Sequence, residues 1–321
     1  VEWLSVAKEA AKTLQFLRSN SVKLALWYND ANSFALRDLG NSGRKSLFKA
    51  FDFLYGPYTY ARRVFYPNID FPQHIWQPNG VANVLQGVPF NSNPLPRVFV
   101  PGAAQSIHYP LRAWARKRVT VNDFRFVSLD HPGYGARDAY QRNVDSIARD
   151  LKPNQVVINS TVTGRAYGQL MSKFLVCFTD LMRHTNLVSK HFEIPAAGCL
   201  LVTSNQHAGL LRSVGFEHMK NCLLYDKRNP GPTIDWALSP DNRAKVDKMR
   251  QAGRDLVYAR HLIQHRSSLV DTHVTAVLSG QIYKPLFEID DMERETASPC
   301  PLADETPCQC FRQWTVVTYS N

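Results

Sequence analysis

The sequence predicts a doubly wound α/β protein built on parallel sheets. Three observations lead to that class. The apolar runs are short and mostly continuous, as in FLVCF (174–178) and CLLVTS (199–204). Runs of this kind mark strands buried on both faces. Amphipathic segments lie between them, so strand and helix alternate along the chain. Pro, Asn and Ser gather at GVPFNSNPLPR (87–97) and punctuate the chain there. With 321 residues, 44% of them apolar, the chain is long enough for two domains.

In order, strands are expected at KLALW (23–27), RVFYP (63–67), RVFVP (97–101) and FRFVSL (124–129), then at 174–178, 199–204 and NCLLYD (221–226). Helices are expected at 104–118, 138–151, 165–172, 186–197, 207–213 and near 241–265. The organisation is then an N-terminal domain over 1–93, small or cut short, and a complete nucleotide-binding half over 94–265. Residues 266–321 follow as a helix and a Pro-containing tail.

The net charge is +11, but residues 286–305, LFEIDDMERETASPCPLADE, hold seven acids and one base. That local −6 leaves +17 on the remainder. Such a body favours polyanions or phosphorylated small molecules. No Lys/Arg-rich arm or zinc-finger pattern accompanies the charge, which turns the reading from nucleic acid toward a phosphate-bearing ligand. No run of about 18 apolar residues occurs, so no membrane span is expected. The expected location is cytoplasmic. The chain starts at Val1 rather than Met, so a missing leader carries no weight. Cys177, Cys199 and Cys222 sit in apolar runs and read as reduced core residues. Cys300, Cys308 and Cys310 match no strong zinc spacing, and no metal is expected.

LGNSGRKS (39–46) fails as a phosphate loop, because two residues rather than four separate its glycines. No G-x-S-x-G, H-E-x-x-H or G-x-G-x-x-G occurs, which weakens serine hydrolase, zinc protease and ordinary dehydrogenase readings. VFVPGAAQSIHYPLRAWARK (98–117) is more informative: a strand, a tight turn, then a helix. Gly102 would let a diphosphate approach the backbone. Arg112, near Tyr109 at the helix start, would clamp it. SLDHPGYG (128–135) places His131 and Tyr134 at a strand C-terminal end, where ligands of open sheets lie. LMRHTNLVSKHFEIPAAGCLLV (181–202) combines Arg183, Lys190 and Glu193 with a helix running into a strand. Two bases would neutralise a diphosphate there, and one acid would accept hydrogen bonds from ribose hydroxyls. Gly198 reads as the helix C-cap and is counted with these residues in the donor-binding set.

YPLR, HPGY, FEIPAAG and GFEHMKNCLLYD (215–226), in this order, resemble the glycosyltransferase group 1 C-terminal domain. The nearest branch is the CgeB/YkvP spore-protein-like one. The likeness covers roughly 97–265, with a weaker match over 22–90. It implies a GT-B architecture, with two Rossmann-like domains facing a cleft. It also implies a nucleotide-diphosphate-sugar donor in the C-terminal half, a hydroxyl or glycan acceptor, and no metal or cofactor. In that family the glutamate before the small-residue run binds the donor, and Glu193 holds its position. Thr185 stands where many retaining members carry a second glutamate, so retention or inversion stays open. The base for an acceptor hydroxyl is expected to be Asp30, in LWYND, with His74 and His131 as alternatives. Two rivals stand beside this reading: a non-catalytic nucleotide or glycan binder, and a sugar transferase acting on nucleic acid.

Overall fold

The structure is a computed structural model that describes residues 12–27, 47–57, 73–103, 109–121, 123–129, 157–158, 162–181 and 187–281. It divides into two units, Val1–Pro78 and Asn79–Asn321. In the first unit, β1 (Ala25–Trp27), β2 (Phe53–Gly56) and β3 (Gln73–Trp76) form a parallel sheet in sequence order. Phe48, Leu54, Tyr55, Ile75 and Trp76 are buried in it. Asp52 anchors the start of β1 by accepting from the Leu24 amide at 2.8 Å.

The second unit is a six-stranded parallel sheet. Its strands are β4 (Leu95–Val100), β5 (Phe126–Leu129), β6 (Val157–Ile158), β7 (Phe174–Phe178), β8 (Leu200–Ser204) and β9 (Leu223–Tyr225). They lie in the order β6-β5-β4-β7-β8-β9. Every residue of β7 and β8 is buried, as continuous apolar runs require of strands covered on both faces. Rings stack through this core, Phe99 on Phe174 at 4.8 Å and Phe178 on Tyr225 at 4.9 Å. The helices of this unit among the described residues are α1 (Pro110–Thr120), α2 (Gly164–Ser172), α3 (Lys190–Ala196), α4 (Ala208–Ser213), α5 (Gly231–Leu238), α6 (Arg243–Arg260) and α7 (Ile263–Leu278).

Several expectations change. The strand at 63–67 and the helix at 138–151 fall outside the described residues. Strands β2, β3 and β6 and helix α5 were not expected. The long helix expected near 241–265 ends at Arg260 as α6, and the helix expected after it, α7, starts at Ile263. They break where Val81 pairs with Leu262, receiving from Ile263 and donating to His261. Nor is the Pro/Asn-rich stretch at 87–97 the boundary. The units divide at Pro78, and residues 85–92 are strapped to the second unit by side chains far along the chain. Arg250 donates to the carbonyls of Asn91 and Gly198, both at 2.8 Å, with its guanidinium over the Phe90 ring. Arg254 donates to Val88 O at 2.7 Å, and Arg165 to Gly87 O at 3.0 Å. Backbone carbonyls drawn out of water need partners, and here guanidinium groups supply them.

Cys177 and Cys199 are not reduced core thiols; the structure joins them in a disulfide. They lie on adjacent segments with Cα atoms 5.9 Å apart, within the span a disulfide bridges. Cys222 is free and buried, and burial pushes its thiol up to about 12. Gly198 ends α3 in a Schellman motif. Its amide donates to Pro195 O at 2.8 Å, and the Cys199 amide to Ile194 O at 3.2 Å. Its φ of +76° is in the left-handed region, and an added Cβ would sit 2.9 Å from Phe90 Cδ2. Gly198→Ala should therefore destabilise the protein by about 1–3 kcal/mol, from backbone strain plus the clash. Denaturant unfolding reads this directly. A midpoint equal to wild type would contradict the assigned backbone.

Candidate functional site

The sheet order reverses between β4 and β7, and open α/β sheets bind ligands beyond the strand C-termini at such a reversal. A cavity of about 340 Å³ opens there, beside the ends of β4 and β5. Its wall is built from three turns. The first follows β4 and brings Gly102 and Ala103, then Tyr109 and Arg112 at the start of α1. The second leads into α2 and brings Thr163, Gly164 and Tyr167. The third is the start of α3, with Ser189, Lys190 and Glu193.

Gly102 has φ +85°, and a Cβ there would meet Arg112 Nη1 at 3.1 Å and Lys190 Cε at 3.3 Å. The missing side chain is what lets two cations converge on one turn. Arg112 is almost fully buried. Its Nε donates to Asp180 Oδ1 at 2.9 Å, its Nη1 to the Ala103 carbonyl at 2.9 Å, and its plane stacks on Tyr109 at 3.6 Å. Nη2 is buried without a hydrogen-bond partner among the described residues. Asp180, at the end of β7, is itself buried, and burial pushes its carboxyl above the usual range while Arg112 opposes the shift.

Lys190 and Glu193 form an ion pair one helical turn apart, each about one-fifth exposed. The Lys190 ammonium lies 4.9 Å from the centre of the Tyr167 ring. Burial works against its charge, but Tyr167 and Glu193 outweigh burial and raise its pKa. Tyr167 is half-buried with its hydroxyl inside, and desolvation pushes its phenol up to about 12. Among the described residues its hydroxyl has no partner of good hydrogen-bond geometry, and the neighbouring Lys190 charge opposes the rise. Behind this wall His191 is locked as a neutral core residue. Its Nδ1 accepts from the Val188 amide at 3.2 Å, its Nε2 faces Thr203 Oγ1 at 3.1 Å, and burial holds its pKa at about 3.

Of the donor-side residues expected from sequence, Gly102, Tyr109, Arg112, Lys190 and Glu193 line this one cavity. Gly198 does not. It caps the far end of α3 beneath Phe90, and its role is structural. Arg183, Tyr134, His131 and Asp30 fall outside the described residues. His74 belongs to β3 in the first unit, and its side-chain surroundings are not described. Sequence reasoning missed Tyr167 and Asp180. Asp180 did leave a signal, a carboxylate one residue past the apolar run FLVCF.

No protein-family model matches the chain, and no curated protein matches it. Solved structures do resemble it. A sucrose-phosphate synthase from Thermosynechococcus elongatus superposes with a TM-score of 0.53 at 12% identity, over 81% of this chain and 69% of that one. Anabaena HepE, in complex with UDP and glucose, gives 0.56 at 11% identity over 85% and 81%. An alpha-glucosyltransferase in complex with UDP and a 13-mer DNA containing a HMU base gives 0.53 at 14% identity over 85% and 76%. At these identities the likeness is one of fold, and the fold is the α/β, parallel-sheet kind of the GT-B glycosyltransferases. Among the described residues no helix is long and apolar enough to cross a membrane.

Proposed function

We propose that this chain is a glycosyltransferase that takes its sugar from a nucleoside-diphosphate donor bound in the cavity at the β4/β7 reversal. One observation carries the reading. Lys190, Arg112 and Glu193 line it together, Lys190 and Arg112 closing on the Gly102 turn, and the Arg112 Nη2 is buried without a hydrogen-bond partner among the described residues. An unsatisfied guanidinium nitrogen is costly, and a phosphate oxygen would satisfy it. The similar structures solved with UDP support the donor class.

In this reading, donor binding exchanges partners. Lys190 turns from Glu193 to the diphosphate, and Glu193 accepts from ribose hydroxyls instead. The bond from the anomeric carbon to the phosphate oxygen breaks, and the acceptor oxygen bonds to that carbon. Negative charge grows on the leaving diphosphate, where Lys190 and Arg112 stabilise it without a divalent ion. The acceptor proton passes to a base proposed among Asp30, His131 and His74. The acceptor is proposed to be a glycan or another hydroxyl compound, and the branch to be the CgeB/YkvP-like one.

The test is turnover. Purified protein is incubated with a panel of nucleotide sugars and hydroxyl acceptors in chelator, and free nucleoside diphosphate is measured. Acceptor-dependent release is expected. Binding of nucleotides without any turnover would favour the non-catalytic binder. Activity lost in chelator and restored by manganese would defeat the metal-free mechanism.

A further inference from the structure

The first turn of α1 has its donors already taken. Pro110 has no N–H. Leu111 and Arg112 donate their amides to Asp180 Oδ2 at 3.0 and 3.3 Å, and Ala113 donates to the Tyr109 carbonyl at 2.9 Å. A helix N-terminus attracts an anion. Here the protein supplies that anion itself, from the end of β7. The same carboxylate takes Arg112 Nε through its other oxygen, so one side chain fixes both the helix start and the guanidinium plane. Asp180 is held in turn by its neighbours. The Thr179 amide donates to Val202 O at 3.0 Å, and the Tyr225 hydroxyl to Thr179 O at 3.4 Å.

We propose that Asp180, which does not line the cavity, is a positioning residue for the donor diphosphate: it locks the Arg112 guanidinium so that Nη2 presents to the bound phosphate. This rests on the donor-site reading above. It gives the two cations different tasks. Asp180 neutralises Arg112, so Arg112 contributes a directed hydrogen bond, while Lys190 contributes charge.

The proposal makes a prediction opposite in sign to simple charge counting. Asp180→Asn removes a negative charge close to a polyanion site. Charge alone would tighten UDP binding; loss of positioning would weaken it. Asp180→Glu keeps the charge but displaces it by one methylene, and serves as the second variant if the first does not fold. Both, with Arg112→Lys and the Asp180→Asn/Arg112→Lys double variant, are titrated with UDP and with inorganic diphosphate, alongside melting curves. We expect each single change to weaken UDP binding about tenfold or more, and the double variant to be scarcely weaker than the worse single one, because both remove the same bond. A lower melting temperature with unchanged or tighter UDP binding in the folded Asp180 variants would overturn the proposal, as would penalties that simply add. Wild type that binds neither UDP nor inorganic diphosphate would overturn the donor-site reading itself, and this inference with it.

Discussion

Replacing Arg112 by Met should cost the folded protein about 3–5 kcal/mol, the scale for removing one partner of a buried ion pair. Arg112 and Asp180 are each almost fully buried, and their contact is 2.9 Å long. Met fills much of the same volume but leaves Asp180 with only the two α1 amides. The loss should depend on pH, in a direction that follows from Asp180. Its folded pKa is raised by burial, against which Arg112 works. Without Arg112 it rises further. A carboxyl with a raised folded pKa binds more protons folded than unfolded, so its contribution falls as pH rises from the usual carboxylate range through the folded pKa. The variant should therefore regain part of its lost stability in mild acid. Denaturant unfolding of both proteins at several pH values measures this. A deficit constant with pH, or growing in acid, would contradict the assignment of Asp180 as the stranded charge.

Lys190→Met and Glu193→Gln should both weaken UDP binding, and for different reasons. Lys190→Met removes a charge-assisted bond to phosphate, about 1.5–3 kcal/mol, or roughly tenfold to a hundredfold. Glu193→Gln removes one to a ribose hydroxyl, about 1–3 kcal/mol. Uridine, which has no phosphate, separates them. Lys190→Met should leave uridine binding nearly unchanged, whereas Glu193→Gln should weaken uridine and UDP alike. Both side chains are about four-fifths buried, so losing one partner also lowers stability, and affinities are read on folded protein with melting curves alongside. Calorimetric titration with both ligands decides the matter. Equal losses for uridine and UDP on changing Lys190 would remove it from the phosphate site.

The parts of the fold that could be read from sequence are those whose physics is local. Strands β4, β7 and β8 announce themselves as continuous apolar runs, and α3 ends at Gly198 as its small-residue sequence suggests. Strands β2, β3 and β6 are short, and QHIW mixes polar with apolar residues, so no period stands out. The same division runs through the site. Gly102, Arg112 and Lys190 sit in turns after or before strong strands, where a phosphate-binding reading is natural. Asp180 could be noticed but not interpreted, since its partner lies 68 residues upstream. The boundary expected within 87–97 gives way to Pro78 for a related reason. Its composition says loop, and nothing local reveals that Arg250 and Arg254 will satisfy its carbonyls.

The guanidinium of Arg250 has a bearing on how the protein is made. It joins Gly198, 52 residues before it, to Asn91, 159 residues before it. A chain emerging from the ribosome therefore delivers 85–92, β4 and the end of α3 long before the side chain that ties them together. Until α6 appears, the carbonyls of Val88, Asn91 and Gly198 must be served by water, and the Phe90 ring has no cation above it. Closures over such separations come late, because a long loop must be ordered before the contact rewards it. The sheet core can collapse early, but the far end of the helix that carries Lys190 and Glu193 is fastened only once α6 has been synthesised.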